Sequence, residues 1–393
     1  MVPLDTPLEI AACRLYEVAV PLTEPFRISG GAMRTRRSLI VEITDKSGAV
    51  GYGESAPFDQ PFYSEETLDS VRACIIQHLI PRITGQTFPG LETAVRALER
   101  GVRGNRMARA GVETALWDLV CAKAGVALRS LIGAAMQRVG VSEENATSVP
   151  QVEVGAALGI PEDRQPDTLA DQSCLAIQQG YKRVKIKVAP GWDVAAVQAV
   201  RRAAHEMGRK VRVWADANGS YSRELDFESL QALDREHLVM IEQPLPPEDV
   251  LGMIRISRAL ATPICLDESL TDDHAGQLFL ESDGPRIWNI KVQRVGGLWE
   301  SVKLYKRALD GDVRLWAGSM PETGLGLHAV LCLASFKGFV YPSDAEPSAR
   351  WYAPGADLIE WRMDDGRITV SDAPGLATLG VKAKLEQLGK VVA

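Results

Sequence analysis

The sequence predicts a (β/α)8-type barrel, an α/β fold, with an α+β capping domain ahead of it. From about residue 152, eight short β-branched runs begin 24 to 31 residues apart, the length of one strand plus one helix. Five successive runs end on charged residues, as strands do when their tips share one mouth. The first 140 residues differ, with strand-like runs placed ahead of helical patterns.

Taken in order, the chain opens with CRLYEVAVPL, SLIVEITDKSG and AVGYGES, which read as strands. The segments EETLDSVRACIIQHLI and MARAGVETALWDLVCAKAG then read as helices. Together these make a capping domain over residues 1–140, followed by a polar linker, GVSEENATSVP. The barrel is expected over residues 150–344, its strands in VEVGAALG, RVKIKV, VRVWADAN, LVMIEQP, PICLDE, IWNIKV, VRLWAGS and FVYPSD. Amphipathic stretches such as DVAAVQAVRRAAHEM and PPEDVLGMIRISRAL supply the intervening helices. The tail from 345 to 393 contains DLIEWRMDDGRITVSD, a strand pair too short to stand alone, and is expected to rejoin the first domain.

Composition narrows the function. A net charge of −7 argues against nucleic acid or an anionic membrane as partner. No apolar run reaches the roughly 20 residues of a membrane span, and the N-terminus lacks a signal pattern. Six scattered cysteines without a CxxC read as buried thiols in a reducing cytoplasm.

The chemistry lies at the strand tips. Asp216, Glu242 and Asp267 follow one another at 26 and 25 residues and bring three hard oxygen ligands from neighbouring strands. With no cysteine or histidine among them, they suit Mg2+, or Mn2+, far better than zinc. Any one of these acids alone reads better as a helix cap, but three in register call for a cation to hold them ionised together. Lys185 and Lys187 alternate on one strand and share a face. Lys291 comes from strand six, opposite strand two in a barrel of eight. A carboxylate substrate on the metal would thus have an amine on each side, with the lysine pKa values expected to fall beside it. Two bases beside Mg2+ suit removal of a proton next to a carboxylate to give an enediolate, the arrangement of the enolase superfamily.

The motifs KIKVAPGWD, WADAN, IEQP, LDES, NIKVQRVGG and WAGSMPETGLG together resemble the enolase superfamily in its muconate-lactonizing subgroup. PGWD, RVGG and SDAEPSARWY are most similar to its o-succinylbenzoate synthase and N-succinylamino acid racemase family. The resemblance spans most of the chain and implies the modified (β/α)7β form of barrel. It implies Asp216, Glu242 and Asp267 as metal ligands, Lys187 as base on one face, and Lys291 as base or charge stabiliser on the other. Lys185 would tune Lys187 and touch the substrate carboxylate, Arg294 would support Lys291 in the substrate site, and Ser319 and Met320 would line that site. Asn218 would stand behind the metal ligands. Two lid loops are implied, near residues 26–36 and 57–64, the first carrying the cationic SGGAMRTRR. A small carboxylate substrate and a homo-oligomer are the implied partners.

The chain departs from the family's WCGGM with Ser319, and from an arginine and an asparagine nearby with Leu327 and Val330. These lie at or just after strand seven, where the resemblance implies that substrate specificity is set, and they leave the metal and the two-base chemistry intact. Asp344 and Glu346 form an acidic pair like the DxD of dipeptide epimerases, although the surrounding SARWY fits the synthase and racemase family better. His328 near strand seven reads as a packed or solvated histidine. The expected reactions are dehydration of a cyclohexadiene carboxylate to o-succinylbenzoate and racemisation of N-succinylamino acids. Dipeptide epimerisation and muconate cycloisomerisation are the alternatives.

Overall fold

The computed structural model describes residues 3–28 and 31–393. In the N-terminal region, Leu8–Ile28, Gly31–Asp45 and Val50–Ser55 form an antiparallel meander. Its apolar face is covered by the helix Arg106–Ala124, which approaches Val50–Ser55 so closely that a Cβ on Gly53 would lie 2.1 Å from the Gly111 carbonyl oxygen. That contact is why AVGYGES alternates glycine with larger residues. At the other edge, Gly389–Val391 pairs antiparallel with the first strand, bringing the C-terminus back to this sheet.

Seven strands in chain order form the second sheet, all neighbours parallel. They are Ala156–Leu158, Arg183–Lys187, Arg212–Asp216, Ile241–Glu242, Ile264–Leu266, Ile287–Ile290 and Arg314–Ala317, here the first to seventh barrel strands. Helices follow each one, among them Val194–Glu206 and Val250–Ala259, where the amphipathic patterns place them. The eighth run, FVYPSD, forms no ladder. It makes single parallel bridges, Phe339 to Leu315 on the seventh strand and Ser343 to Val154 just ahead of the first, and so joins the two edges. Two tryptophans, Trp214 and Trp316, fill the barrel interior with Cys265 and Met240.

The tail hairpin forms, at Met363–Asp364 and Arg367–Thr369, but it pairs with Gln151–Glu153 at the start of the barrel. Beyond the hairpin the chain returns to the N-terminal region, where the Leu376 N–H donates to Asp118 at 2.8 Å and the last strand pairs with the first. All six cysteines are free; four are buried, while Cys13 and Cys174 are half-buried. No single helix among the described residues is long and apolar enough to cross a membrane.

Glu54, at the end of the third strand, docks the two regions. Its carboxylate accepts from the N–H groups of Thr323 and Gly326 at 3.0 and 2.9 Å, capping the helix Gly324–Ala334 that follows the seventh barrel strand.

Candidate active site

The second barrel strand points Arg183, Lys185 and Lys187 to the same side, since alternate residues of a strand share a face. Its tip is in register with its neighbours: Lys187 lies opposite Asp216, and Asp216 opposite Glu242. Asp267 follows the fifth strand directly. One carboxylate oxygen from each of Asp216, Glu242 and Asp267 lies within 4.8 Å of the others, and all three residues are buried. Gln243 fixes the last of them, its side-chain carbonyl accepting from the N–H groups of Asp267 and Ser269, both at 3.1 Å.

Ammonium groups surround the triad. Lys187 Nζ donates to Asp216 Oδ2 at 2.6 Å and to Asn218 Oδ1 at 2.8 Å. Lys291 Nζ donates to Asp267 Oδ2 at 2.8 Å. Asn218 adopts a left-handed conformation, donates its amide to Glu268 Oε1 at 2.9 Å, and so stands behind Asp216 between Lys187 and Glu268.

Facing these carboxylates, Lys185 and Lys291 shift upward. Burial alone would lower Lys185, but Asp344, Glu242 and Asp216 together raise it well above the ordinary lysine value. Lys291 is likewise raised against burial, chiefly by Asp267. Among the acids, burial and the Asp216 charge push Glu242 up, whereas Lys187 and Lys185 overcome burial and hold Asp216 down. Lys291 and Arg294 do the same for Asp267. Glu268 is pushed up to about 7 by burial and by Asp267.

The residues fit a divalent cation. Glu242 Oε2 is buried and receives no hydrogen bond, although Lys185 Nζ lies 3.2 Å away, and Glu268 Oε2 is also orphaned. Unpaired buried carboxylate oxygens are costly. An all-oxygen set with a spare lone pair is what Mg2+ or Mn2+ would use.

The cavity above the triad is lined by Lys185, Lys187, Asn218, Lys291, Ser319, Met320, Asp344 and Glu346 from the barrel. From the N-terminal region, Phe26 of the first expected lid segment and Phe58 and Tyr63 of the second line it. Of that first segment, Ser29 and Gly30 lie outside the described residues. Two of the three arginines in its SGGAMRTRR are engaged elsewhere: Arg36 is fully buried and donates to Met320 O at 3.3 Å and to Pro57 O, fastening both lid segments to the seventh-strand tip. Arg37 pairs with Glu17.

Arg294 does not line this cavity. It donates to Asp267 Oδ1 and to the carbonyls of Leu270 and Asn289, and so holds the carboxylate whose other oxygen accepts from Lys291. Ser319 is in the cavity wall, donating to the Asp344 carbonyl at 3.1 Å. Leu327 and Val330 are buried in the helix Gly324–Ala334 and do not line it. His328 is a packed histidine, stacked on Trp361 at 5.7 Å, with burial lowering its pKa to about 4.

Tyr63 was not read from the sequence. Its hydroxyl accepts from Lys291 Nζ at 2.9 Å and donates to Asp267 Oδ1 at 3.2 Å, and Lys291 sits 4.6 Å over its ring. Asn289 was also missed; it donates to Glu242 Oε1 at 2.9 Å, and its place two residues before Lys291 was the available signal.

Comparison with known proteins agrees with this geometry. Residues 168–382 match the family described as enolase C-terminal domain-like, and residues 10–133 match the N-terminal domain of mandelate racemase / muconate lactonizing enzyme. An o-succinylbenzoate synthase of Bacillus subtilis is 35% identical over 98% of this chain and 97% of its own length. An N-succinylamino acid racemase of Thermus thermophilus is 34% identical over 98% and 97%. A solved structure from Alicyclobacillus acidocaldarius, a probable mandelate racemase, superposes with a TM-score of 0.82 at 32% identity, covering 98% of each chain. The chain belongs to the enolase superfamily of enzymes, with the N-terminal and barrel domains of its mandelate racemase and muconate lactonizing branch.

Proposed function

We propose that this enzyme removes the proton α to a carboxylate in a Mg2+-dependent reaction, dehydrating a cyclohexadiene carboxylate to o-succinylbenzoate. The observation that carries the reading is the buried triad Asp216, Glu242 and Asp267 flanked by Lys187 and Lys291, both in the wall of one cavity. Relatives named o-succinylbenzoate synthase support the choice of substrate. Mg2+, or Mn2+ in its place, supplies when bound the positive charge that stabilises an enediolate.

The chain's own residues do the rest. Lys187 in its neutral form takes the α-proton, and as the conjugate acid it returns that proton to the departing hydroxide, which leaves as water. Lys291 on the other side holds charge against the substrate and is kept in place by Tyr63 and Asp267. Phe26, Phe58, Met320 and Trp351 keep water from the cavity.

The second basic group favours one further reading, racemisation of N-succinylamino acids by proton exchange between Lys187 and Lys291. Relatives named N-succinylamino acid racemase support it. The six free thiols suit a reducing cytoplasm. The test is turnover of 2-succinyl-6-hydroxy-2,4-cyclohexadiene-1-carboxylate followed by ultraviolet absorbance. Mg2+-dependent loss that vanishes in Lys187→Ala is expected, and equal turnover in that variant would overturn the assignment of the base.

A further inference from the structure

Below the triad, a chain of alternating charge runs down the barrel interior. Lys185 Nζ lies 3.1 Å from Asp216 Oδ2 and 3.2 Å from Glu242 Oε2, but its shortest contact, 2.6 Å, is to Asp344 Oδ2. The other oxygen of Asp344 accepts from Arg183 Nη2. Arg183 has no exposed surface. Its guanidinium stacks 4.3 Å from the Trp214 ring and donates to the carbonyls of Ala156 and Pro342, each at 3.1 Å. With tryptophan on one face and two carbonyls at its edge, this cation is fixed in place, and Asp344 is fixed by it.

A cation bound at Asp216, Glu242 and Asp267 would draw on two carboxylates whose oxygens Lys185 also touches. An ammonium group and a divalent ion cannot share those oxygens without strong repulsion in a buried site. Asp344 stands outside the triad and offers Lys185 a counter-ion that the metal does not use. We propose that Arg183 and Asp344 form a seat onto which Lys185 withdraws when the metal binds. Lys185 gives up Asp216 and Glu242, keeps Asp344, and stays in the cavity wall. Asp344 is thus a positioning residue that sets metal affinity through Lys185. This rests on the metal reading above.

Magnesium titration calorimetry on the full chain tests it, comparing wild type, Asp344→Asn, Lys185→Met and the double variant. Lys185→Met is expected to bind Mg2+ several-fold more tightly, because the competing ammonium is gone. Asp344→Asn is expected to bind about tenfold more weakly, because Lys185 then has only the metal acids as counter-ions. In the Lys185→Met background the Asp344 substitution should change little. Equal weakening in both backgrounds would overturn the proposal, since Asp344 would then act through its own field. Should Asp344→Asn fail to fold, Lys185→Met alone decides: unchanged Mg2+ affinity overturns the competition. Wild type that binds no Mg2+ would instead defeat the metal reading itself.

Discussion

Gly297, the last residue of the RVGG motif, is where the N-terminal region grips the loop that carries Lys291. Its φ is +130°, and a Cβ there would lie 1.1 Å from Glu113 Oε2. Glu113 is buried on the helix Arg106–Ala124 and accepts from the Trp299 N–H at 2.8 Å and from Trp117 Nε1 at 2.6 Å. Gly297→Ala therefore carries two costs. An L-residue held in this backbone region loses about 1–3 kcal/mol. Displacing the Glu113 carboxylate strands at least one buried N–H, for about 1–3 kcal/mol more. The total is roughly 2–6 kcal/mol. Gly191 is the control, with φ +78° and nothing within 4 Å of its would-be Cβ. Gly191→Ala should cost only about 1–2 kcal/mol. Urea unfolding followed by tryptophan fluorescence measures both. Equal losses in the two variants would refute the steric reasoning and reduce the motif to a backbone preference.

Tyr63→Phe removes a hydroxyl shared by Lys291 and Asp267, and hydrogen bonds to charged groups contribute about 1.5–3 kcal/mol, so kcat/KM should fall roughly tenfold to a hundredfold. Steady-state kinetics within about twofold of wild type would contradict that role. Asp118 is buried where it accepts from the N–H groups of Tyr52 and Leu376, both at 2.8 Å, yet burial outweighs these donors and raises its pKa to about 7. The folded state then holds a proton that the unfolded chain releases near pH ~4. This contribution to stability is complete at low pH and is lost as pH rises through about 7. Asp118→Asn should flatten the fall in unfolding free energy between those limits, and an unchanged slope in urea titrations would assign it to other acids.

The site was legible where a single strand carries the information. Strand spacing placed Asp216, Glu242, Asp267 and Lys291 at one mouth, and period-two alternation placed Lys185 and Lys187 together. The same alternation includes Arg183, passed over because a cation so deep in a barrel is reasonable only once Trp214 and Asp344 are seen around it. Contacts between distant segments left no local trace. Tyr63 meets Lys291 from 228 residues away, and Glu54 meets Thr323 from 269. The burial of Arg36 within SGGAMRTRR left no trace either, because sequence does not show which carbonyls will face a side chain. The tail hairpin's pairing with Gln151–Glu153 was not legible for a related reason, since two short strands fit any exposed edge until the third dimension chooses one.

The most direct measurement follows the α-proton by NMR in D2O, using each enantiomer of an N-succinylamino acid with Mg2+ and the wild type, Lys187→Ala and Lys291→Ala proteins. If the two lysines face opposite sides of a carboxylate held at the triad, each variant should lose racemisation while still exchanging the proton of one enantiomer, a different one in each case. Racemisation surviving in either variant, or exchange of both enantiomers in both, would contradict the placement of Lys187 and Lys291 on opposite sides of the substrate as the two bases of racemisation.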